Sequence, residues 1–188
     1  MAFLGIVSGL PAAGKSTLAD RLGQDLGLPV VHRDQLRRYV FDGFEDLPGA
    51  RDRIPHASSR LVTAVLSTII DAGGGAILDG NFNTVRHMTP VREFVAARNV
   101  RTAEVCLWGD HEALRRRFVL RADPPLTDDL RSYFEQVLYR PRVSVLSPPA
   151  LIEHVDTTDL ATLDERYPAL LTALRGAAGQ AEPRLRDA

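Results

Sequence analysis

Residues 9–17 read GLPAAGKST and place Gly9, Gly14, Lys15 and Ser16 at the spacing G-x-x-x-x-G-K-[ST]. A loop of this composition turns backbone N–H groups toward a polyphosphate, and a helix opening at its end adds unpaired N–H groups and a favourable dipole. Lys15 would then reach the β- and γ-phosphates and the Ser16 hydroxyl would ligate Mg²⁺, with Ala12, Ala13 and Thr17 completing the cradle. Of the 23 basic residues, 22 are arginines and Lys15 is the one lysine. A planar guanidinium is bulkier than an ammonium and does not replace it in a tight backbone cradle. Lys15 is expected to be solvated until a nucleotide arrives.

Further acids and bases follow hydrophobic runs. Asp34, in VHRDQLRRYV, could accept the proton of a hydroxyl attacking a γ-phosphate, or could cap a helix starting at Gln35. Three residues on, Arg37 shares its helix face and could hold an anionic or polar group of the acceptor, whereas Arg38 points toward solvent. Asp79, in ILDGNFN, is the candidate for holding a Mg²⁺-bound water, with an Asx turn at Gly80 as the alternative. Asn81 and Asn83 suit either acceptor contacts or turns.

A third group lies in ALRRRFVLRAD. On a helical wheel Phe118, Arg121 and Arg117 fall within about 60° of Leu114, while Arg115 and Arg116 point away. Arginines on an apolar stripe need a partner. That partner is either a triphosphate clamped by a lid or an acid such as Asp123 or Asp128.

For these residues to meet, the elements between them must form an open parallel sheet, whose ligands bind beyond the carboxyl ends of the strands. The pattern agrees. Apolar runs at 3–7, 28–32, 76–79, 102–108 and 151–156 read as strands. They alternate with helical periods: Leu18, Leu22 and Leu26; then Leu61, Val65 and Ile69 over 55–72; then Met88, Val91 and Val95 over 86–98. Further helices are expected over 110–121, 129–138 and 161–175, with a break at ADPPLT, 122–127.

Composition narrows the partners. A length of 188 residues with 45% hydrophobic side chains suits one domain, and a formal net charge of −1 gives no general attraction to nucleic acid or anionic membrane. The single cysteine, Cys106, forms no internal disulfide and reads as a buried thiol, which with the lack of a leader or membrane span suggests a cytoplasmic protein. His32, His56, His87, His111 and His154 show no metal-ligand spacing and read as structural or solvated.

With SGLPAAGKST, HRDQLR, LDGNFN and RFVLRADPPLTDDLRSYF in this order, the chain resembles the polynucleotide-kinase-like branch of P-loop kinases, which includes chloramphenicol phosphotransferase and the zeta toxins. The resemblance covers residues from about 3 to 160. It implies an α/β, three-layer P-loop kinase fold, with a five-stranded parallel sheet, helices on both faces and a small helical lid at about 114–140. The kinase domain would span 1–175 and a loose tail 176–188. It implies Asp34 as catalytic base, Arg37 as a contact to a substrate phosphate, and Arg121 with Arg117 on the nucleotide phosphates. ATP and Mg²⁺ would be used, and the acceptor would be a hydroxyl on a small molecule or on a nucleic-acid 5′-end. The rival reading is a nucleotide-dependent switch acting through a partner. The segment 41–60 falls where such folds cover the acceptor.

Overall fold

β1 (Phe3–Gly9) alternates Phe3 and Val7 toward one apolar layer with Leu4 and Ile6 toward the other, so both of its faces are covered. Around it the computed structural model describes residues 1–44, 46, 49–82, 84–121, 128–138, 144–146 and 151–179. The elements that follow are α1 (Lys15–Leu26), β2 (Val30–His32), α2 (Arg33–Phe44), α3 (Ala50–Asp71), β3 (Gly75–Asp79) and α4 (Val85–Ala96). Then come β4 (Arg101–Trp108), α5 (His111–Leu120), α6 (Asp128–Leu138), β5 (Leu151–Asp156) and α7 (Ala161–Ala178).

The strands form one sheet in the order β2-β3-β1-β4-β5, every neighbouring pair parallel. Leu18, Leu22 and Leu26 of α1 pack with Leu163, Tyr167, Leu170 and Leu174 of α7 on one face. Leu114 and Phe134 join that layer, and the Phe118 and Phe134 rings stack at 3.9 Å, joining α5 to α6. On the other face Val62, Leu66 and Ile70 of α3 meet Met88, Val91 and Phe94 of α4. This is the three-layer α/β arrangement that the alternation of strands and helices predicts.

Several expected boundaries shift. β2 begins at Val30 instead of residue 28. α3 begins at Ala50, with Pro55 inside it where the sequence suggested a start. Its buried stripe is Val62, Leu66 and Ile70, whereas Leu61, Val65 and Ile69 are only half-buried. Val95 likewise yields the buried position to Phe94. α7 continues to Ala178 and ends at Gly179 in the left-handed conformation that favours glycine, three residues beyond the expected edge of the tail. The break at 122–127, Asn83 and residues 180–188 lie outside the described residues.

One buried charge joins β4 to the chain that follows α6. Glu104 is 1% exposed and accepts hydrogen bonds from the Ser8 and Ser144 hydroxyls and from the N–H groups of Val145 and Leu146. Arg92 of α4 donates to the Ser144 and Val145 carbonyls, so residues 144–146 are held from both sides.

Candidate functional site

The glycine loop leaves the end of β1 through backbone that side chains would obstruct. Gly9 has φ 130° and Gly14 φ 88°, and a Cβ on Gly9 would stand 1.9 Å from the Leu107 carbonyl oxygen. Ala12 also has positive φ, at 61°, a local strain concentrated in the cradle. Leu10 N–H donates to Leu107 O at 3.1 Å and fixes the loop to β4. Gly14 precedes α1 without a side-chain cap, so no side chain satisfies the N–H groups of the helix start.

Lys15 is buried, and its Nζ donates to the Leu10 carbonyl at 2.8 Å. This corrects the expectation of a solvated ammonium: the loop curls over the side chain and holds it in place. Burial lowers its pKa below the usual lysine range, opposed by the charges of Asp79 and Asp34, while Arg121 adds to the lowering. Those four charged groups therefore share one electrostatic environment.

Ser16 and Asp79 meet beneath the loop. Ser16 Oγ donates to Asp79 Oδ2 at 2.7 Å, and the same oxygen lies 2.9 Å from His32 Nδ1. Asp79 is 5% exposed and its Oδ1 has no hydrogen-bond partner. A buried carboxylate oxygen left without a donor, next to a hydroxyl, is a donor set that fits a hydrated Mg²⁺. His32 continues outward to Asp20, with Nε2 at 2.9 Å from Oδ1. Burial alone would depress the His32 pKa, but the hydrogen bond and charge of Asp79, with Asp20, raise it. The sequence reading missed this role. Its signal was the position of His32 as the last residue of β2, in register with Asp79.

Asp34 lies inside the first turn of α2, and the helix begins at Arg33 instead of Gln35. Its carboxylate is 63% exposed and accepts from Arg33 Nη1 at 3.0 Å, so the cap at Gln35 is not formed. Arg33, unremarked in the sequence, is 4% exposed. Arg37 is exposed, and Arg38 pairs loosely with Asp42 at 3.7 Å. Asn81 is buried, with Oδ1 unpartnered. At the start of α4, burial pushes His87 down to about 4, helped by the charges of Arg33, Arg37 and Arg86 against that of Asp34.

The α5 arginines divide differently from the wheel. Arg121 ends α5 exposed and acts on the Lys15 charge. Arg117 instead donates to the Thr157 and Thr158 carbonyls at 2.6 Å each, so its partners are backbone oxygens and no anion is required. Arg115, expected to point away from the apolar stripe, forms a two-bond pair with Glu135 at 2.7 and 2.8 Å and a bond to Glu112 at 2.5 Å, tying α5 to α6. Arg116 is exposed. The side chains of Asp123 and Asp128 lie outside the described residues.

Among the described residues no group of three or more His, Cys, Asp and Glu side chains is placed to hold a metal by itself, and no helix is long and apolar enough to cross a membrane. Cys106 is buried, as expected.

Comparison with known proteins agrees with this fold. A family model described as an AAA domain, AAA_33, matches residues 4–137. An adenylate kinase of Kocuria rhizophila is 26% identical over 186 residues, covering 90% of this chain and 97% of that one. A Chloroflexus aurantiacus structure, provisionally named a kinase, superposes with a TM-score of 0.77 at 24% identity, covering 93% of this chain and 94% of that one. A sugar kinase from Janibacter sp. gives 0.64 at 19% identity, covering 95% and 99%. The fold is a kinase-type P-loop fold.

Proposed function

The chain belongs to the AAA_33 family of AAA domains, and from that premise we propose that it is an ATP-dependent phosphotransferase moving the γ-phosphoryl of ATP to a hydroxyl. The observation that carries this reading is the meeting of Ser16 Oγ with the buried Asp79 carboxylate at 2.7 Å beside a glycine loop that holds Lys15 Nζ on the Leu10 carbonyl, with the charges of Asp34 and Arg121 also acting on Lys15. A switch that only hydrolyses nucleotide needs no second, exposed carboxylate such as Asp34.

In this reading Gly9, Ala12, Ala13, Gly14, Lys15, Ser16 and Thr17, the glycine loop and the start of α1, cradle the ATP phosphates. Ser16 and Asp79 would hold Mg²⁺, which when bound would neutralise charge on the phosphates. Asp34 takes the acceptor's hydroxyl proton as the hydroxyl oxygen bonds to the γ-phosphorus. The bond from that phosphorus to the β–γ bridging oxygen breaks, and ADP leaves. Arg121 offsets charge on the transferring group. Arg117 acts from behind, by holding the loop after β5. Arg37 would meet the acceptor.

The adenylate-kinase name of the Kocuria relative and the sugar-kinase name of the Janibacter structure both support phosphoryl transfer while differing in acceptor. HRDQLR and LDGNFN support a place near the polynucleotide-kinase-like branch. A compact domain with lid helices α5 and α6, and a cytoplasmic location, accord with the single buried thiol and the P-loop fold. The test is ADP release from ATP and Mg²⁺ in the presence of sugars, nucleosides, aromatic alcohols and 5′-hydroxyl oligonucleotides. Release that depends on one acceptor class supports the reading, and release indifferent to every acceptor would support the switch.

A further inference from the structure

Asp79 receives its hydrogen bonds unevenly. Oδ2 accepts from the Ser16 hydroxyl at 2.7 Å and lies 2.9 Å from His32 Nδ1, while Oδ1 is buried and has no partner. A carboxylate oxygen accepts and does not donate, so Nδ1 carries a hydrogen and gives it to Asp79, whether or not the ring is charged. Two donors spread over two oxygens would leave neither open. The fold instead puts both on one oxygen and keeps the other free, in a place where burial makes an unmet acceptor costly.

The two donors come from different elements. Ser16 lies in the first turn of α1, whereas His32 ends β2, whose parallel pairing with β3 sets it opposite Asp79. The outer nitrogen of the ring, Nε2, lies 2.9 Å from Oδ1 of Asp20, which sits on α1 one turn beyond Ser16. Ser16, Asp79, His32 and Asp20 therefore close a circuit through one turn of α1 and the ends of β2 and β3. An imidazole fixed at both nitrogens cannot turn away, and its side chain is only 23% exposed, so little water competes for the bond. Without it Asp79 would be left with the Ser16 hydroxyl alone, a rotor that sets no plane.

We infer that His32 is a positioning residue for the metal site, holding the Asp79 carboxylate so that its second oxygen stays free for the hydrated Mg²⁺ that accompanies ATP. This rests on the nucleotide and Mg²⁺ part of the phosphotransferase reading and adds a residue to it. His32 offers the ion no electron pair of its own, because Nδ1 is spent on Asp79 and Nε2 faces Asp20. Partners of this kind, one bond behind a metal-holding carboxylate, fix its orientation and so its affinity for the ion. A purely architectural role, tying the short edge strand β2 to α1, would need only the Asp20 contact and would be indifferent to metal.

The experiment is calorimetric titration of β,γ-imido-ATP into the full chain, with and without Mg²⁺, beside thermal melts. His32→Ala should weaken binding in the presence of Mg²⁺ by about tenfold and leave metal-free binding within about twofold of wild type. The amide nitrogen of an asparagine falls near the place of Nδ1, and that of a glutamine near the place of Nε2. With Mg²⁺, His32→Asn should therefore bind within about threefold of wild type, whereas His32→Gln, which still reaches toward Asp20, should lose as much as His32→Ala. If His32→Ala folds poorly, the Asn and Gln pair carries the test, since both keep a polar amide. Equal losses with and without Mg²⁺, no loss in either, or His32→Asn as weak as His32→Gln would overturn the inference. A fall in Tm with Mg²⁺-dependent affinity intact would likewise overturn it and make His32 a structural tie. Wild type that binds β,γ-imido-ATP no better with Mg²⁺ than without, or not at all, would sink the metal-dependent phosphotransferase reading itself, and the inference with it.

Discussion

Ser16 Oγ and Asp79 Oδ2 meet at 2.7 Å although 63 residues separate them, which fastens the first turn of α1 to the carboxyl end of β3. The bond exists because β3 pairs with β1 in parallel, Val7 opposite Asp79, so β1 enters the glycine loop beside the strand end that carries the acid. Asp79→Asn would keep the Ser16 contact but remove the charge. The affinity for ATP with Mg²⁺ should then fall toward the metal-free value, while affinity without metal stays unchanged. Calorimetry with and without Mg²⁺ checks this, and an equal loss in both conditions would make Asp79 a structural acid.

Lys15 is held by the Leu10 carbonyl inside a loop with little room for a larger group. Lys15→Arg should therefore fail nearly as badly as Lys15→Ala, each lowering kcat/KM by about 10²–10³-fold. Wild-type turnover in Lys15→Arg would show that charge alone suffices.

Asp34 is mostly exposed, caps no helix start and is bonded to Arg33. Asp34→Asn should keep Tm and nucleotide affinity while kcat drops by roughly 10²–10⁴-fold. An unchanged kcat would remove it as the base.

The α5 arginines should separate by readout. Arg121→Ala should lower kcat with little change in Tm, since its guanidinium is exposed. Arg115→Ala should lower Tm, because it severs the α5–α6 pair with Glu135, and Arg117→Ala should lower both by loosening Thr157 and Thr158. Thermal melts beside steady-state kinetics distinguish the three, and identical profiles would mean a general basic surface.

His87 gives a pH signature. Its folded pKa is pushed down to about 4 from an ordinary 6.5, so between those values the unfolded chain binds more protons and stability rises with pH. The contribution is complete above 6.5 and is lost as pH falls toward 4. Between pH 7 and pH 4.5, wild-type Tm should therefore fall further than that of His87→Asn, and parallel curves would contradict the burial of a neutral imidazole.

The parts of the molecule that sequence reveals are those where one physical demand leaves one choice. A strand buried on both faces, glycines at positive φ and a helix without a side-chain cap make the β1–loop–α1 unit legible, and with it Lys15, Ser16 and the register that brings Asp79 near. Asp34 and Arg121 follow from the topology. α3 was harder, because aliphatic residues stand in adjacent pairs at 61–62, 65–66 and 69–70. Two stripes one residue apart satisfy the period equally, and only packing against the sheet selects Val62, Leu66 and Ile70. Glu104 was hidden in an apolar strand, since its partners Ser144, Val145 and Leu146 lie some 40 residues away. Arg115 and Arg117 show the limit of a helical wheel, which gives a direction but not the carboxylate or carbonyl waiting there.

The central claim is transfer to a hydroxyl, and ³¹P NMR of ATP, Mg²⁺ and the best-binding acceptor follows the phosphorus atom itself. The account predicts that the γ-phosphate resonance is replaced by that of a phosphate ester, in step with ADP, in wild type and not in Lys15→Ala. Growth of inorganic phosphate at a rate independent of the acceptor, with no ester resonance, would contradict it.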